Sequence, residues 1–541
     1  MTNNKENKPG KFSKEKSGNK DESSQQGRRN VIKALAGIPV LGFLGLEIFR
    51  KTNYDKTHDR SKEIINDLGL TDIQTKVKPV NVVSGGDIIR IGIVGVGGRG
   101  TALMHALGFM TKPEFFRLKD NDKMATQAKF GNLNVVITGV CDVFDMHAKK
   151  GLAAAGFDIY TEGKLSKKFP VKRYLHYHDM LNDKNIEAVI IATPDHHHAR
   201  MTIDAIKAGK HVYCEKAPVR RENEIYELYD VVKNSNLVYQ LGHQIPHNAV
   251  FQQAKEIINK NLLGKISHIE TTTNRNTPQG AWIRHLNANG TLKPGDEKTI
   301  DWKQWLGESP KVPFSIRRYY SWARYFDYDT GLFGQLFSHE YDAVNHLLDL
   351  GIPKYVNATG GQFFYKEFGD IPDVLDTAFE YPEKGLILTY NANLASSRKR
   401  ARTIYGQDAS MTIGGDMTLT ADANSKRYAG MLKKGLINPN APMVTIKAGT
   451  GNVEIIDAVS SATSMYYASR GLMSTSINGK VWDVTYLHLK EWIDCIRDGG
   501  TPSANIDKAF EEGITIVMAD ISYREKCRTE WDAKNRKIIR S

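Results

Sequence analysis

Residues 89–100 read Ile-Arg-Ile-Gly-Ile-Val-Gly-Val-Gly-Gly-Arg-Gly, a run of β-branched residues that ends in a glycine-rich turn. Residues 101–109 continue in a helix-like pattern, so the stretch predicts a strand, a tight turn and a helix. Here Gly95 permits the turn, Gly97 lets the backbone approach a pyrophosphate, and Gly100 lets the helix pack on the strand. The helix N-terminus would face the phosphates of a dinucleotide. The residues predicted to hold it are Gly95, Gly97, Gly98, Arg99 and Gly100.

A second apolar strand, predicted over residues 134–140, ends in Cys141 and Asp142. An acid at this place would bond the adenosine ribose hydroxyls and disfavour a 2′-phosphate, which favours NAD over NADP. Asp142 follows Gly100 by 42 residues, whereas about 20 is usual. We attribute the excess to a polar insertion around residues 110–131.

A third strand, predicted over residues 188–192, leads into Thr-Pro-Asp-His-His-His at residues 193–198. Three adjacent histidines suggest a metal site, but consecutive side chains on one element do not converge on a single ion. We therefore predict no bound metal. The loop is expected at the carboxyl end of a parallel strand, beside the cofactor.

A fourth strand, residues 210–214, leads into Glu215-Lys216-Ala217-Pro218. The order of motifs (G-x-G-x-x-G, an acidic strand end, T-P-x-x-x-H and E-K-P) resembles the Gfo/Idh/MocA oxidoreductase family. The resemblance implies an N-terminal Rossmann domain at residues 87–222 and a C-terminal α/β domain at 223–541 with an open, mostly antiparallel sheet. It also implies NAD(P)-dependent oxidation or reduction of sugars and polyols by a homo-oligomer, a dimer or a tetramer. The cofactor residues it adds are Thr193, Pro194, His196, His198, Glu215, Lys216 and Gln244.

Later segments agree with the same family in order. Residues 239–244 resemble the strand and loop after the E-K-P helix, and residues 301–307 resemble a D-W-x-x-W-L-G segment of exported members. Residues 331–342 resemble a G-x-x-x-D-x-G-x-H-x-x-D stretch. Residues 492–499 and 530–532 resemble the closing helix and strand. Each match alone is weak, but the ordered set is specific.

Two positions depart from the family pattern. Ala217 separates Lys216 from Pro218, and Gln335 stands where the family has the aspartate of D-x-G-x-H. Glutamine carries no charge, so a carboxylate that would orient or acidify the site is missing. By resemblance His339 takes the hydroxyl proton and Lys216 stabilises charge on the substrate oxygen.

Residues 318–326 are unusually aromatic and contain Tyr319, Tyr320 and Trp322. Flat rings with polar tips suit the faces and hydroxyls of a sugar, although a cluster that closes a domain interface fits equally well. The predicted substrate residues are His243, Tyr319, Tyr320, Trp322 and Gln335.

The first 60 residues form a basic leader, followed by a predicted linker at 61–86. Residues 1–29 are too polar to order themselves, and Arg28-Arg29 then precedes an uncharged stretch at 34–46. This arrangement resembles a twin-arginine export signal. Thirteen residues are short for a membrane span, yet an uncleaved anchor is possible because no A-x-A cleavage site follows. We predict a protein in the periplasm or on the outer face of the inner membrane.

The composition is that of a mainly soluble, globular chain of 541 residues. The net charge is +13, of which +6 lies in residues 1–60, so the remainder is too weakly basic to suggest a nucleic-acid partner. Four cysteines without metal-ligand spacing predict ordinary thiols and no structural metal.

Export constrains the reaction, because no soluble NAD pool is expected outside the cytoplasm to exchange with a spent cofactor. The cofactor should therefore stay bound. The leading hypothesis is an exported sugar or glycoside oxidoreductase that acts at a ring hydroxyl such as C3. A second is an NAD-dependent glycoside hydrolase that works by transient C3 oxidation, elimination and water addition. A third, left open by Gln335, is a sugar-binding member with an impaired site.

Overall fold

The computed structural model of the protein describes Arg60, residues 62–73, Val77, Val80, and residues 86–120, 130–277, 280–367, 369–414, 416–447, 466–467 and 470–541. The predicted leader up to residue 59, including the segment at 34–46, lies outside these residues, so the export and membrane predictions stay predictions. Of the helices in the described ranges, none is both long and apolar enough to cross a bilayer.

The first large sheet has six parallel strands. They are β1 (Ile89–Val94), β2 (Val135–Cys141), β3 (Lys172–Tyr174), β4 (Ala188–Ile191), β5 (His211–Cys214) and β6 (Tyr239–Leu241). Their order is β3-β2-β1-β4-β5-β6, which confirms the predicted Rossmann topology. Strand order reverses between β1 and β4, so the turn at Gly95 and the loop after β4 lie side by side at the carboxyl edge.

Helices follow most of these strands and cover both faces of the sheet. They are α1 (Gly98–Ala106), α2 (Lys112–Asp120), α3 (Asp145–Ala155), α4 (Lys164–Lys168), α5 (Tyr177–Leu181), α6 (His198–Lys207) and α7 (Glu222–Lys233). The first turn of α7 is closed by Glu224, whose Oε2 accepts hydrogen bonds from the amides of Arg220 and Arg221 at 2.8 and 2.9 Å.

The second large sheet has ten strands and is mostly antiparallel, as predicted. Its members are β7 (Ile266–Asn274), β8 (Tyr355–Gly361), β9 (Val374–Tyr381), β10 (Leu386–Asn393), β11 (Arg402–Gly406), β12 (Ala409–Ile413), β13 (Asp416–Ala421), β14 (Val444–Lys447), β17 (Thr529–Asp532) and β18 (Lys537–Arg540). Their order is β14-β13-β12-β11-β7-β10-β9-β8-β17-β18. Among the strands that the structure describes in this sheet, only β7 and β10 pair in parallel. A separate hairpin joins β15 (Ser474–Ile477) to β16 (Lys480–Asp483).

The helices of the second half are α8 (Ala249–Asn259), α9 (Trp302–Leu306), α10 (Ile316–Tyr320), α11 (Ser338–Leu348), α12 (Ala429–Lys433), α13 (Val484–Asp498) and α14 (Ile506–Glu525). A π-helix at Phe333–Phe337 leads directly into α11. Helix α14 packs on β8, where Ser522 Oγ accepts a hydrogen bond from the Ala358 amide at 2.9 Å.

The predicted boundary at residue 222 is too early. Strand β6 pairs with β5 in the first sheet, although it lies at 239–241. Helix α13, near the end of the chain, also completes this core: Trp492 is fully buried and its ring meets Tyr213 of β5 at 5.8 Å. The core of the Rossmann sheet therefore draws on both ends of the described chain.

The predicted linker at 61–86 is partly packed structure. Residues 65–67 are helical, and Leu68, Leu70 and Ile73 are buried. These apolar side chains gain enough by burial to order the segment, which the sequence prediction overlooked.

Candidate active site

The glycine-rich turn leaves space for a ligand at one glycine and none at the other two. Gly95 has φ +85°, and a Cβ there would lie 2.7 Å from the Ala192 carbonyl oxygen. A Cβ at Gly100 would overlap the Gly95 carbonyl. At Gly97 the nearest atom is His147 Cε1, 4.0 Å away. The turn is therefore packed from behind and open at Gly97, as a pyrophosphate site requires.

A cavity of about 660 Å³ begins at this turn. It is lined by most of the residues predicted for the cofactor, namely Gly95, Gly97, Gly98, Arg99, Asp142, Thr193, Pro194 and His196. Gly100, His198, Glu215, Lys216 and Gln244 are not among its lining residues. The cavity thus matches the pyrophosphate and adenosine part of the predicted site.

Asp142 stands at the end of β2 on the cavity wall. Its Oδ2 accepts a hydrogen bond from the Val96 amide at 2.6 Å, and its Oδ1 accepts one from the Phe144 amide at 2.8 Å. Burial raises the pKa of this carboxyl, while His147 and the two amides oppose the shift. The two amides hold the carboxyl in place beside the cavity, where it can meet a ribose, so the residues present fit NAD.

The aromatic residues predicted for the sugar line this same cavity instead. Tyr319, Tyr320 and Trp322 are wall residues together with Asp142. The Tyr319 hydroxyl lies 3.5 Å from His147 Nδ1, and the Tyr320 hydroxyl donates to the Pro294 carbonyl at 2.7 Å. Their assignment as substrate residues stays a prediction, and the structure places them on the wall of this cavity, which His339 does not line.

Arg99 and Glu215 form a buried ion pair below the cavity. Arg99 Nε donates to Glu215 Oε1 at 2.7 Å, and both side chains are less than a tenth exposed. Glu215 therefore positions Arg99. Gln244 is also buried, and its backbone amide donates to the Tyr467 hydroxyl at 3.2 Å.

The three histidines after β4 are each engaged by the protein. Nε2 of His196 and Nε2 of His197 both lie 2.8 Å from the Trp305 carbonyl oxygen. His198 Nδ1 lies 2.7 Å from the Ala217 carbonyl, and its Nε2 lies 2.9 Å from that of Thr193. The loop thereby fastens β4 to the segment around Lys216 and to α9.

Three other side chains lie close enough together to hold a metal ion. One potential ligand atom from each of His247, His488 and Glu491 lies within 4.8 Å of the others. His488 Nε2 already lies 2.8 Å from the Leu241 carbonyl, and Ser503 donates to both oxygens of Glu491. The absence of a metal stays a prediction, whereas the four cysteines are free thiols as predicted.

The predicted catalytic pair lies deeper, beyond the cavity. His339 opens α11 and is fully buried. Neither ring nitrogen has a hydrogen-bond partner among the described residues. Lys216 Nζ donates to the Gly334 carbonyl at 3.0 Å. Burial, then the charges of Lys216 and His243, lower the pKa of His339 well below its usual value. His339 is therefore a neutral imidazole with free nitrogen, as a general base must be.

The pKa of His243 shifts in the opposite direction, although its ring centroid is only 5.3 Å from that of His339. Burial alone would lower its pKa, but the carboxylates of Glu512 and Asp342 outweigh burial and raise it. Its Nε2 lies 2.7 Å from Glu512 Oε2, and its Nδ1 lies 3.9 Å from Asp342 Oδ2. Both ring nitrogens thus face carboxyl groups, which favours the protonated form of His243 and makes it less suited than His339 to act as the base.

Two tyrosines that the sequence analysis did not select cover His339. The Tyr466 ring stacks on the imidazole at a centroid distance of 4.3 Å, and Tyr467 meets it edge-on at 5.3 Å. The Tyr466 hydroxyl donates to Glu340 Oε1 at 2.8 Å. No motif marks these residues, since they come from a segment that matches none of the quoted patterns.

Gln335 faces two carboxyl groups that were also not selected. Its Nε2 donates to Asp195 Oδ2 at 3.0 Å. The Asp329 carboxyl contacts both Asp195 and Gln335. Asp195 was quoted within the T-P-D-H-H-H loop but given no role, and Asp329 lies in no quoted motif.

These features agree with comparisons to known proteins. Residues 89–243 match the family model Gfo/Idh/MocA, described as an oxidoreductase family with an NAD-binding Rossmann fold. This range runs from β1 to the residues just after β6. Over these residues the chain is similar to that oxidoreductase family.

Curated relatives match over the same part of the chain. A levoglucosan dehydrogenase of Pseudarthrobacter phenanthrenivorans is 28% identical over 187 residues, which is 34% of this chain and 41% of the relative. An inositol 2-dehydrogenase/D-chiro-inositol 3-dehydrogenase of Lactiplantibacillus plantarum is 28% identical over 179 residues, 33% of this chain and 42% of the relative. The chain spans less than half the length of these Gfo/Idh/MocA-like relatives.

Solved structures extend the likeness to the whole fold. A levoglucosan dehydrogenase in complex with NADH and levoglucosan superposes with a TM-score of 0.52 at 17% identity, covering 82% of this chain and 99% of that one. The WlbA dehydrogenase from Bordetella pertussis, in complex with NADH and UDP-GlcNAcA, gives 0.51 at 17% identity, with 83% and 98% covered. At this identity the match concerns the fold alone, and it confirms a Rossmann domain joined to a mostly antiparallel sheet.

Proposed function

We propose that the protein is an NAD-dependent oxidoreductase that oxidises or reduces a ring hydroxyl of a sugar or glycoside, such as that at C3. The proposal rests on His339, a neutral imidazole that has no hydrogen-bond partner among the described residues and lies beside Lys216. Both residues lie beyond the cavity that matches the dinucleotide site. Base, charged group and nucleotide site are the parts that alcohol oxidation needs.

The cofactor residues fit NAD, which when bound would accept a hydride from the substrate carbon. The chain's own residues deal with the hydroxyl. His339 accepts the hydroxyl proton on a ring nitrogen, and Lys216 supplies positive charge to the substrate oxygen as it becomes a carbonyl. His243 lies at the same centre, and Glu512 and Asp342 favour its protonated form. Burial excludes water, which strengthens each of these interactions.

The substrate class is supported by the relatives. The matched dehydrogenases carry the names of levoglucosan and inositol, which are both cyclic polyhydroxy compounds. A related fold has been solved with levoglucosan bound. A polyhydroxylated ring also suits a centre with one neutral and one charged histidine, because adjacent hydroxyls can both donate and accept.

Export by the twin-arginine route remains part of the proposal, supported by Arg28-Arg29 before the uncharged segment at 34–46. A folded, exported enzyme would keep its cofactor through turnover. We expect Arg28→Lys with Arg29→Lys to leave the folded protein in the cytoplasm, because charge is conserved but the arginine pair is lost. Unchanged export would mean that another signal operates.

One experiment separates the three hypotheses. The full chain is purified, its nucleotide is identified by mass spectrometry, and the holoprotein is mixed with a panel of glycosides. A keto-sugar formed with reduced nucleotide supports the oxidoreductase. Free sugar released without net reduction supports the glycoside hydrolase instead. Binding without turnover supports the impaired sugar-binding member, and absence of nucleotide, with none bound on addition, overturns the proposal.

A further inference from the structure

Three buried polar side chains meet behind Lys216. Asp195 opens the 3₁₀ turn after β4, Asp329 precedes the π-helix, and Gln335 lies within that π-helix. Each is at most 2% exposed. Buried carboxyl groups are costly unless they are paired or hydrogen-bonded, so their contacts reveal how the protein holds them.

The contacts define a carboxyl pair that accepts hydrogen bonds from the Gln335 side chain and from backbone amides. Gln335 Nε2 donates to Asp195 Oδ2 at 3.0 Å. Asp329 Oδ1 accepts from the Thr330 amide at 2.7 Å, and its Oδ2 has no donor within the described part of the chain. The two carboxyls bond each other. A Cβ built on Gly334 would lie 3.3 Å from Asp195 Oδ2 and from Asp329 Oδ1, so position 334 lies against both carboxyls.

Two carboxylates in contact cannot both stay ionised inside a protein, so the pair shares one proton. Burial raises the pKa of both groups, and the charge of Asp195 raises the pKa of Asp329 further. Hydrogen bonds from Asp329 and from the Ala217 amide favour the ionised form of Asp195, whereas Gln335 opposes the rise in the pKa of Asp329 only in part. Asp329 therefore holds the proton, and the pair as a whole has one negative charge.

The charged groups that face the pair are cationic or can become so. Lys216 and His198 face Asp195, and Lys216 and Arg284 face Asp329. Lys216 Nζ donates to the Gly334 carbonyl at 3.0 Å, so a single glycine separates the ammonium from both carboxyls. The negative charge is thus placed next to the lysine expected to polarise the substrate oxygen.

This arrangement explains why position 335 holds an amide. A third carboxylate there would repel the other two, whereas an amide donates to Asp195 and fixes it. The negative charge that is missing at position 335 is instead carried by the Asp195–Asp329 pair, which lies on other segments of the chain.

We propose that the Asp195–Asp329 pair, sharing one proton, is the counter-charge that positions Lys216 as an ammonium for the substrate oxygen. The inference rests on the proposed function and assigns both aspartates as positioning residues that act through Lys216.

The test compares neutral, nearly isosteric variants in the holoprotein. Asp329→Asn keeps a hydrogen-bond donor toward Asp195 and the single negative charge, so it should slow single-turnover reduction of bound NAD far less than Asp195→Asn does. Asp195→Asn removes the charge and the acceptor of the Gln335 bond. It should slow the step by about 10²-fold, the scale of loss when a reacting group is misplaced. The basic limb of its pH–rate profile should move to lower pH, which a purely structural defect would not cause.

A rescue variant and a spectrum complete the test. Asp195→Asn combined with Gln335→Glu returns one carboxylate to the cluster and should recover much of the rate. The infrared difference between wild type and Asp329→Asn should show a protonated carboxyl band at neutral pH, and this needs no substrate. The band together with the asymmetric rates supports the inference. Absence of the band, or equal losses in the two single variants, overturns it.

If the wild type itself does not turn over any sugar, the proposed function fails, and the infrared measurement still decides whether the proton is shared. If Asp195→Asn does not fold, the same spectrum and the rate of Asp329→Asn decide.

Discussion

The nucleotide turn and the buried centre are adjacent, yet they are built in opposite ways. The turn comes from one continuous stretch, residues 95–100, and leaves open space at Gly97. The centre brings together Lys216, His243 and His339 from distant segments, and each is less than 5% exposed. The turn can accept a ligand because Gly97 has no side chain, whereas the centre depends on charged groups that are buried away from water.

The two regions owe their specificity to different parts of the chain, to the backbone in the turn and to side chains in the centre. Backbone shape alone can bind a pyrophosphate, because the donors are amides that every sequence has. Proton chemistry instead needs neighbouring groups in opposite charge states. The pair of histidines shows this, since carboxylates raise the pKa of His243 while burial lowers that of His339.

The largest effect of a substitution is expected at the glycine-rich turn. Gly97→Val places a side chain in the open space that a pyrophosphate would occupy, so copurified NAD should be lost entirely. Nucleotide content by mass spectrometry checks this. Thermal unfolding should stay near that of the wild-type apoprotein, because among the described residues, the chain neighbours of Gly97 aside, the atom nearest to the new Cβ is 4.0 Å away. Retention of the nucleotide would refute the role given to Gly97.

At the centre, His339→Ala should lower the single-turnover rate of hydride transfer by about 10²–10⁴-fold, the usual contribution of a positioned base. NAD should remain bound, because its cavity is not lined by His339. Stopped-flow absorbance of the reduced nucleotide measures the step. Gln335→Ala is the comparison and should cost less, since no proton moves through an amide. If Gln335→Ala loses the step and His339→Ala keeps it, the base lies elsewhere.

Gly100→Ala tests the packed side of the turn. The added Cβ overlaps the Gly95 carbonyl, so we expect a loss of about 1–3 kcal/mol in the free energy of unfolding, the typical cost of overpacking. Chemical denaturation of the apoprotein gives the value. Gly97→Ala is the matched control and should show little change. Equal stabilities for the two variants would mean that the turn is less tightly packed than described.

The smallest effect is expected from Tyr319→Phe. The lost hydroxyl lies 3.5 Å from His147, on the nucleotide cavity, so NAD affinity should fall by less than about tenfold, as for one ordinary hydrogen bond. KM for the sugar should not move. Titration calorimetry and steady-state kinetics separate the two quantities. A rise in KM for the sugar without a change in NAD affinity would instead assign this tyrosine to the sugar site.

The sequence predicted those features that one segment determines. The turn at 89–100 and the strand leading to Asp142 were placed correctly because glycine and β-branched residues dictate local geometry. Strand β6 was missed as part of the first sheet, since three residues carry little periodicity. Asp329 could not be linked to Asp195, as only the fold brings a residue beside the π-helix to the end of β4. The charge states of the histidines depend on neighbours such as Glu512, more than 260 residues from His243.

The claim that His339 is the base is tested most directly by the pH dependence of single-turnover hydride transfer in the wild-type holoprotein. Because its pKa lies well below 6.5, the imidazole stays neutral as the pH falls through that value. The account predicts a rate that is constant from about pH 8 down to about pH 6 and declines only in more acidic solution. A rate that falls with an apparent pKa of 6.5 or higher would contradict it and would point to a solvated or carboxylate-paired base instead.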